Sequence, residues 1–310
     1  MYIFNFFNKH EELMKAIQEY FLVDGISFPK NIEEMSEEVI KSFVHDNKFN
    51  LQKDIKDVFV NCRHFTTVLH TKNSIAQLGL MTLDNVLEKE TDLKKFLYEN
   101  NITFDISNKK MFYSGSEINI SDEKNCEKCF IKGQCEETKV RFKDIFSDDF
   151  HDNECEYIEI IKELQIPIYH YKGEIEGFLF KEDPYNTDYS CVNYCPEILG
   201  KIEKVIKKLF NEDLSLRSNW QFSKNRTSIY VDFKKSIFDF EDTTINDDLV
   251  GSLFEYYKDN REEKELLNLR YNLFIIVNAL NALYVKNEKF FQLKPRIQVL
   301  PNELKISLSH

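Results

Sequence analysis

Apolar positions recur at helical spacing from the start of the chain: Leu13, Met14, Ile17 and Tyr20 predict a helix over 11–20. A second stripe, Ile32, Met35, Val39, Ile40 and Phe43, predicts another helix with Asn31 as its cap. Over 56–68 the period shortens, and Val58, Phe59, Val60 and Phe65 predict a strand. A short helix is expected over 73–80, stopped by Gly79, because glycine adopts the left-handed cap without strain. Residues 102–106, a turn at 107–110 and Met111-Phe112-Tyr113 read as a hairpin. Further on, 166–171 and 174–180 read as paired strands around a turn at Lys172-Gly173. Pro196 suits the first turn of a helix that buries Ile198, Ile202, Val205, Ile206 and Leu209. Residues 227–233 alternate like a strand with one buried face. Leu266, Leu269, Leu273, Ile276, Val277, Leu280 and Leu283 mark a long buried helix, and 296–300 and 304–308 two closing strands.

Strands and helices mix without a regular strand–helix–strand cadence, so the fold class is α+β. The expected organisation is an N-terminal helical segment over 1–55 and an α+β domain over 56–310, the latter interrupted by a polar, cysteine-bearing insertion over 121–156. With 310 residues, 42% hydrophobic, the chain can bury a substantial core, and 27 Phe against one Trp make that core Phe-rich. The 41 Lys and Arg against 53 Asp and Glu leave a formal charge of −12, which disfavours general coating of nucleic acid and restricts any nucleotide contact to a local cleft. The longest strongly apolar run, Leu273 to Val277, is far short of the ~18 residues of a membrane span. Met1 to Phe7 lack a basic leader region, so a cytoplasmic chain without membrane contact is expected.

Eight glycines, with no Gly-rich phosphate loop, no H-E-x-x-H and no G-x-S-x-G, remove several enzyme classes. Seven cysteines cluster instead. Cys126 and Cys129 form a C-x2-C pair, followed by Cys135 and Cys155, and four thiolates so spaced can close a tetrahedral shell around a structural zinc. His151 is a substitute for the fourth ligand. Scattered thiols in a surface insertion are the alternative.

The stretch Cys62-Arg-His-Phe-Thr-Thr, with the helix that follows it, stands out. His64 and Thr66 lie two residues apart on a predicted strand and so point the same way. A neutral imidazole and a hydroxyl both donate and accept, which suits the paired hydroxyls of a ribose. A core histidine satisfied by a backbone carbonyl is the alternative. His64-Phe-Thr66, then Asn73-Ser-Ile75, then Leu78-Gly79-Leu80 resembles the opening motif of ADP-ribosyltransferases, most closely the bacterial toxin and phage-defence branch. The resemblance implies mixed central sheets of that family's type over 56–310 and NAD as the substrate. It also implies a role for His64 and Thr66 at the NAD ribose, and an aromatic ring stacked on nicotinamide, for which Tyr185, Tyr189 and Tyr113 are the candidates.

The family also places a glutamate on a late strand, because a negative charge stabilises the oxocarbenium-like sugar left by nicotinamide. The predicted strand 296–300 carries Gln298 there, so Glu303 is taken as the carboxylate, with Glu288 the other one close by. Trp220 sits among Arg217, Lys224 and Arg226, the cations placed nearest a diphosphate, with Arg226 the chosen contact; packing of Trp220 beside solvated cations is the alternative. Two readings follow. One is a transferase modifying an intracellular protein or nucleic acid, as a toxin or anti-phage effector with an antitoxin or defence partner. The other is a non-catalytic binding or regulatory protein on a related scaffold, with a structural zinc.

Overall fold

In the computed structural model the long C-terminal stripe is a helix that is exposed in its first turn and buried over its second half. The structure describes residues 1–27, 34–69, 74–120, 156–170, 175–180, 194–258, 261–285, 288–295 and 297–308. In chain order the first elements are β1 (Tyr2–Phe4), α1 (His10–Phe21), α2 (Glu37–Asn47), β2 (Val58–Val68), α3 (Ser74–Leu78), α4 (Leu83–Glu88) and α5 (Asp92–Glu99). Then come β3 (Ile102–Asp105), β4 (Lys110–Tyr113), β5 (Ser116–Asn119), α6 (Glu156–Gln165), β6 (Glu176–Phe180), α7 (Glu197–Phe210) and α8 (Leu216–Gln221). The chain continues through β7 (Thr227–Ser236), α9 (Asp242–Ile245), α10 (Asp248–Tyr257), α11 (Glu263–Leu280), β8 (Lys289–Gln292) and β9 (Lys305–Leu308). The fold is mixed α+β, with a six-stranded sheet in the order β8-β6-β2-β7-β9, β1 also pairing with β2, and a three-stranded sheet β3-β4-β5.

The chain divides into two compact units. The first comprises 1–65, 174–187 and 230–307, and the second 66–173, 188–229 and 308–310. The N-terminal helices therefore belong to the same unit as α11. In that unit every residue of α11 from Tyr271 to Leu280 is buried. By length and composition Glu263–Val285 matches a membrane span, but two thirds of it is covered by the protein, as in a core helix. Each such side chain withdrawn from water contributes about 1.5–3 kcal/mol. Asn272, fully buried on the same helix, accepts the Tyr20 hydroxyl at 2.8 Å and donates to the carbonyls of Leu51 (3.1 Å) and Lys53 (2.8 Å), tying α1 and the 51–53 turn to α11.

The second unit has a separate apolar core, in which Leu97, Met111, Ile118, Leu164, Leu199, Val205 and Trp220 are almost fully buried. Its sheet is a meander. Ser114 and Gly115 both have positive φ (48° and 84°), which makes a tight two-residue turn between β4 and β5.

Four expectations need correction. Residues 166–170 form a π-turn continuing α6, not a strand: Ile166 and Ile168 alternate, but Ile168 is buried while Ile166 stays exposed. Helix α2 starts at Glu37, where the Ser36 hydroxyl accepts the Val39 N–H, and Asn31 lies outside the described residues. The strand after the long helix is β8, whereas of the described residues 297–300 only Val299 forms a bridge. Trp220 is on helix α8, buried, with its indole N–H 2.9 Å from the Thr67 hydroxyl, so it packs the second unit's core and lines no groove. Gly79 does cap α3, with φ 88° and its N–H on the Ile75 carbonyl.

Candidate functional site

Strand β2 carries both of the sequence's prime site residues, and its burial is uneven. Val58, Val60 and Cys62 are buried on one face, then Arg63 and His64 are both half-buried, and beyond them Phe65 and Thr67 are buried on the opposite face. His64 thus occupies the point where cover passes from one face to the other. Thr66, two residues on, is likewise half-buried.

Within the first unit, His64 Nδ1 lies 2.7 Å from the backbone carbonyl of Glu176. A carbonyl only accepts, so Nδ1 carries the hydrogen and Nε2 is left with its lone pair. No described residue takes Nε2. Burial pushes the imidazole below its ordinary value of 6.5, while the Glu176 carbonyl and the Glu176 carboxylate act in the opposite sense. At neutral pH the ring is therefore uncharged, with one nitrogen fixed and the other ready to accept. The core-histidine alternative is half met: the carbonyl is present, but it satisfies only one nitrogen.

Glu176 opens β6, and its side chain is also held. Gln292 Nε2 donates to Glu176 Oε1 at 2.7 Å, and Gln292 in turn accepts the Thr243 hydroxyl at 3.2 Å. The Gln292 backbone is pinned to the Thr244 hydroxyl through its N–H at 2.8 Å. The next residue, Gly177, pairs with Phe291 of β8, and a β-carbon there would stand 2.5 Å from the Arg63 carbonyl and 2.7 Å from the Phe291 ring. Only glycine allows the ring and the β2 backbone to close on β6 at this point, so Gly177 helps set where Glu176 and His64 meet.

Arg63 is occupied elsewhere. Its Nε and Nη2 grip the Asp232 carboxylate at 2.6 and 3.0 Å, and the guanidinium lies over the rings of Phe7 and Tyr230 at 4.5 and 4.8 Å. Cys62, 1% exposed, donates to the Val60 carbonyl, and burial raises its thiol well above 9.0, so it is a packed thiol and not a nucleophile.

The remaining predicted residues are dispersed. Both Glu303 oxygens accept from the buried Lys235 ammonium at 3.0 and 3.1 Å, and Oε2 also accepts the Leu300 N–H at 2.7 Å. Burial alone would raise this carboxyl, but the Leu300 and Lys235 hydrogen bonds and the ammonium charge hold it below 4.5. A carboxylate so engaged anchors the 301–303 turn to β7. In the second unit, the Tyr113 ring packs edge-on against Phe210 and its hydroxyl donates to Glu212. Arg226 reaches the Ser228 hydroxyl at 3.4 Å, and Arg217 pairs with Glu203 at 2.6 Å. Tyr185, Tyr189, Cys126, Cys129, Cys135, His151 and Cys155 lie outside the described residues. Among the described residues no three His, Cys, Asp or Glu side chains are grouped as a metal site.

Sequence reasoning passed over Glu176, Gln292 and Thr243. Glu176 is one of 53 acidic residues, and nothing in its neighbourhood along the chain marks it. Its relation to His64 arises only from strand pairing. Comparison with family models, with curated proteins and with solved structures found no match.

Proposed function

We propose that the chain is an NAD-dependent ADP-ribosyltransferase-like enzyme that modifies a macromolecular target, with its site in the first unit around His64 and Glu176 as the working carboxylate. The observation that carries this reading is the state of His64: neutral, its Nδ1–H committed to the Glu176 carbonyl, its Nε2 open to a hydroxyl such as that of a ribose. Glu176 brings a negative charge into the same field, with Oε1 fixed by Gln292. In the reaction the bond between nicotinamide and ribose breaks, and nicotinamide leaves with the bonding pair. A nucleophilic atom of the target then bonds to the sugar carbon and gives its proton to the carboxylate. Glu176 would stabilise the cationic sugar between these events.

The test is release of nicotinamide from NAD, and transfer of labelled ADP-ribose to lysate proteins or nucleic acid, by the purified chain. His64→Gln and Glu176→Gln should each reduce release by about a hundredfold or more while leaving the melting temperature near that of the parent. Undiminished release in either variant would overturn that residue's role, and no release with any lysate would overturn the reading. One observation favours the non-catalytic alternative: Glu303, the carboxylate that the family pattern points to, is bound up with Lys235. NAD binding by calorimetry without turnover would support that alternative.

A further inference from the structure

Strands β6 and β8 place an exposed ring beside the carboxylate of the site. Their register pairs Glu176 with Gln292, Gly177 with Phe291 and Phe178 with Phe290. Opposite residues of an antiparallel pair share a face, and the face changes at each step. Glu176, Phe178, Phe290 and Gln292 therefore lie on one side, and Gly177 and Phe291 on the other. Phe291, 1% exposed, marks the core side. On the outer side Phe290 is 39% exposed, with the Phe178 ring against it at 4.7 Å, and Glu176 is exposed. Phe290 and Glu176 are diagonal neighbours across the two strands, roughly 7–8 Å apart at the backbone. Glu176 Oε1 is held by Gln292, and no described residue hydrogen-bonds Oε2.

The uncommitted charge around this pair has one sign. Glu241, whose N–H donates to the Gln292 carbonyl at 2.9 Å, and Asp242 beside it carry no ion pair among the described residues. The described cations on and next to these strands are engaged: Lys289 with Asp247 at 2.7 Å, Arg63 with Asp232 at 2.6 Å, and Lys294 with the Phe238 carbonyl at 2.9 Å. A phosphate backbone approaching Glu176 would meet carboxylates and no such cation, on a chain of net charge −12. We infer that the group this chain modifies is an arginine side chain of a protein, laid along the Phe290 ring with its guanidinium on Glu176 Oε2. This rests on the transferase reading and chooses protein over nucleic acid as its target. A guanidinium is planar and always charged, stacks on an aromatic face and gives a carboxylate a charge-assisted hydrogen bond, so one side chain uses both features. The compact, strongly hydrated ammonium of lysine suits the ring less well. In the transfer nicotinamide leaves with the bonding pair, a guanidinium nitrogen bonds to the sugar carbon, and the proton that nitrogen loses passes to Glu176.

The probe is an N-acetylated arginine amide, which carries one guanidinium and no other charge. With NAD and the purified full chain it should raise nicotinamide release to saturation and be recovered carrying ADP-ribose by mass spectrometry. DNA and RNA oligonucleotides, single- and double-stranded, should stay unmodified. Its binding without NAD is followed by NMR at the backbone amides of β6 and β8. There Phe290→Leu should weaken it by about fivefold and Glu176→Gln by about tenfold or more. Phe290→Tyr keeps the ring and should bind as the parent does. Because Phe290 is 39% exposed, its variants should melt near the parent. Nicotinamide release that the arginine amide does not change, or ADP-ribose on an oligonucleotide, overturns this inference and leaves the transferase reading standing. No release with any acceptor overturns that reading. The titration then decides the guanidinium site by itself: binding that Phe290→Leu and Glu176→Gln weaken upholds it, and no binding overturns it.

Discussion

The two units bury polar groups in different ways. In the second, the buried polar side chains sit at or near the ends of elements. Thr91 caps α5, Gln165 closes α6 onto the Ile120 carbonyl, and Thr67 takes the Trp220 indole N–H. In the first, Asn47, Lys235 and Thr244 also sit at or near element ends, but Asn268, Asn272 and Asn278 lie within the long helix α11. A polar group at an element's end replaces water that would be there anyway. One in mid-element has no such substitute, so its partners must be right or the fold loses the full cost of leaving them unpaired. The first unit, which also holds His64 and Glu176, is the one that carries buried polar groups in the middle of its core helix.

The sharpest way to break this comparison is Asn272→Leu. It leaves the carbonyls of Leu51 and Lys53 and the Tyr20 hydroxyl unpaired, and should cost about 2–4 kcal/mol in urea denaturation. A neutral result would show that the first unit tolerates an apolar interior as the second does. Trp220→Phe, the matching change in the second unit, removes one hydrogen bond and some volume and should cost about 1–2 kcal/mol.

Smaller again is Lys235→Met, at about 1 kcal/mol, since Glu303 is partly exposed and can recover water. Here the pH dependence is informative. The Glu303 carboxyl lies below 4.5 in the fold, so its contribution is present above that value and lost as pH falls through the folded one. Lys235→Met should flatten that acid limb. The slightest effect belongs to His64. Its folded value lies below 6.5, so protonation favours the unfolded chain: stability is level above 6.5 and declines as pH drops toward the folded value. His64→Gln should remove that decline in thermal melts while leaving the melt at neutral pH near that of the parent, and an acid limb unchanged by the substitution would mean the imidazole is not held neutral.

Much of the fold was legible because strong periodicity reports burial. The stripes of α7 and α11, the β3–β4 hairpin and the Gly79 cap all follow from residue spacing. Two of the failures share one cause, short segments whose pattern suits two structures. Ile166-Pro-Ile-Tyr-His alternates like a strand yet continues a helix, and Lys289-Phe-Phe-Gln, four residues with polar ends, gives little sign of a strand. The site was legible only in part. His64 was visible because His and Thr two apart on a strand are chemically suggestive, whereas Glu176 and Gln292 acquire meaning through pairing across β6 and β8, and pairing partners are not written locally.

The change of covered face along β2 also fixes the strand in place. Its first half must turn even-numbered residues inward and its second half odd-numbered ones, so sliding by a single residue would wet two different sets of side chains at once. The strand behaves like a key cut on both edges, which fits in one position only. A single-residue insertion or deletion between Val58 and Val68 is therefore an error that neither half can absorb, and His64, at the crossing, is the residue whose placement that lock secures.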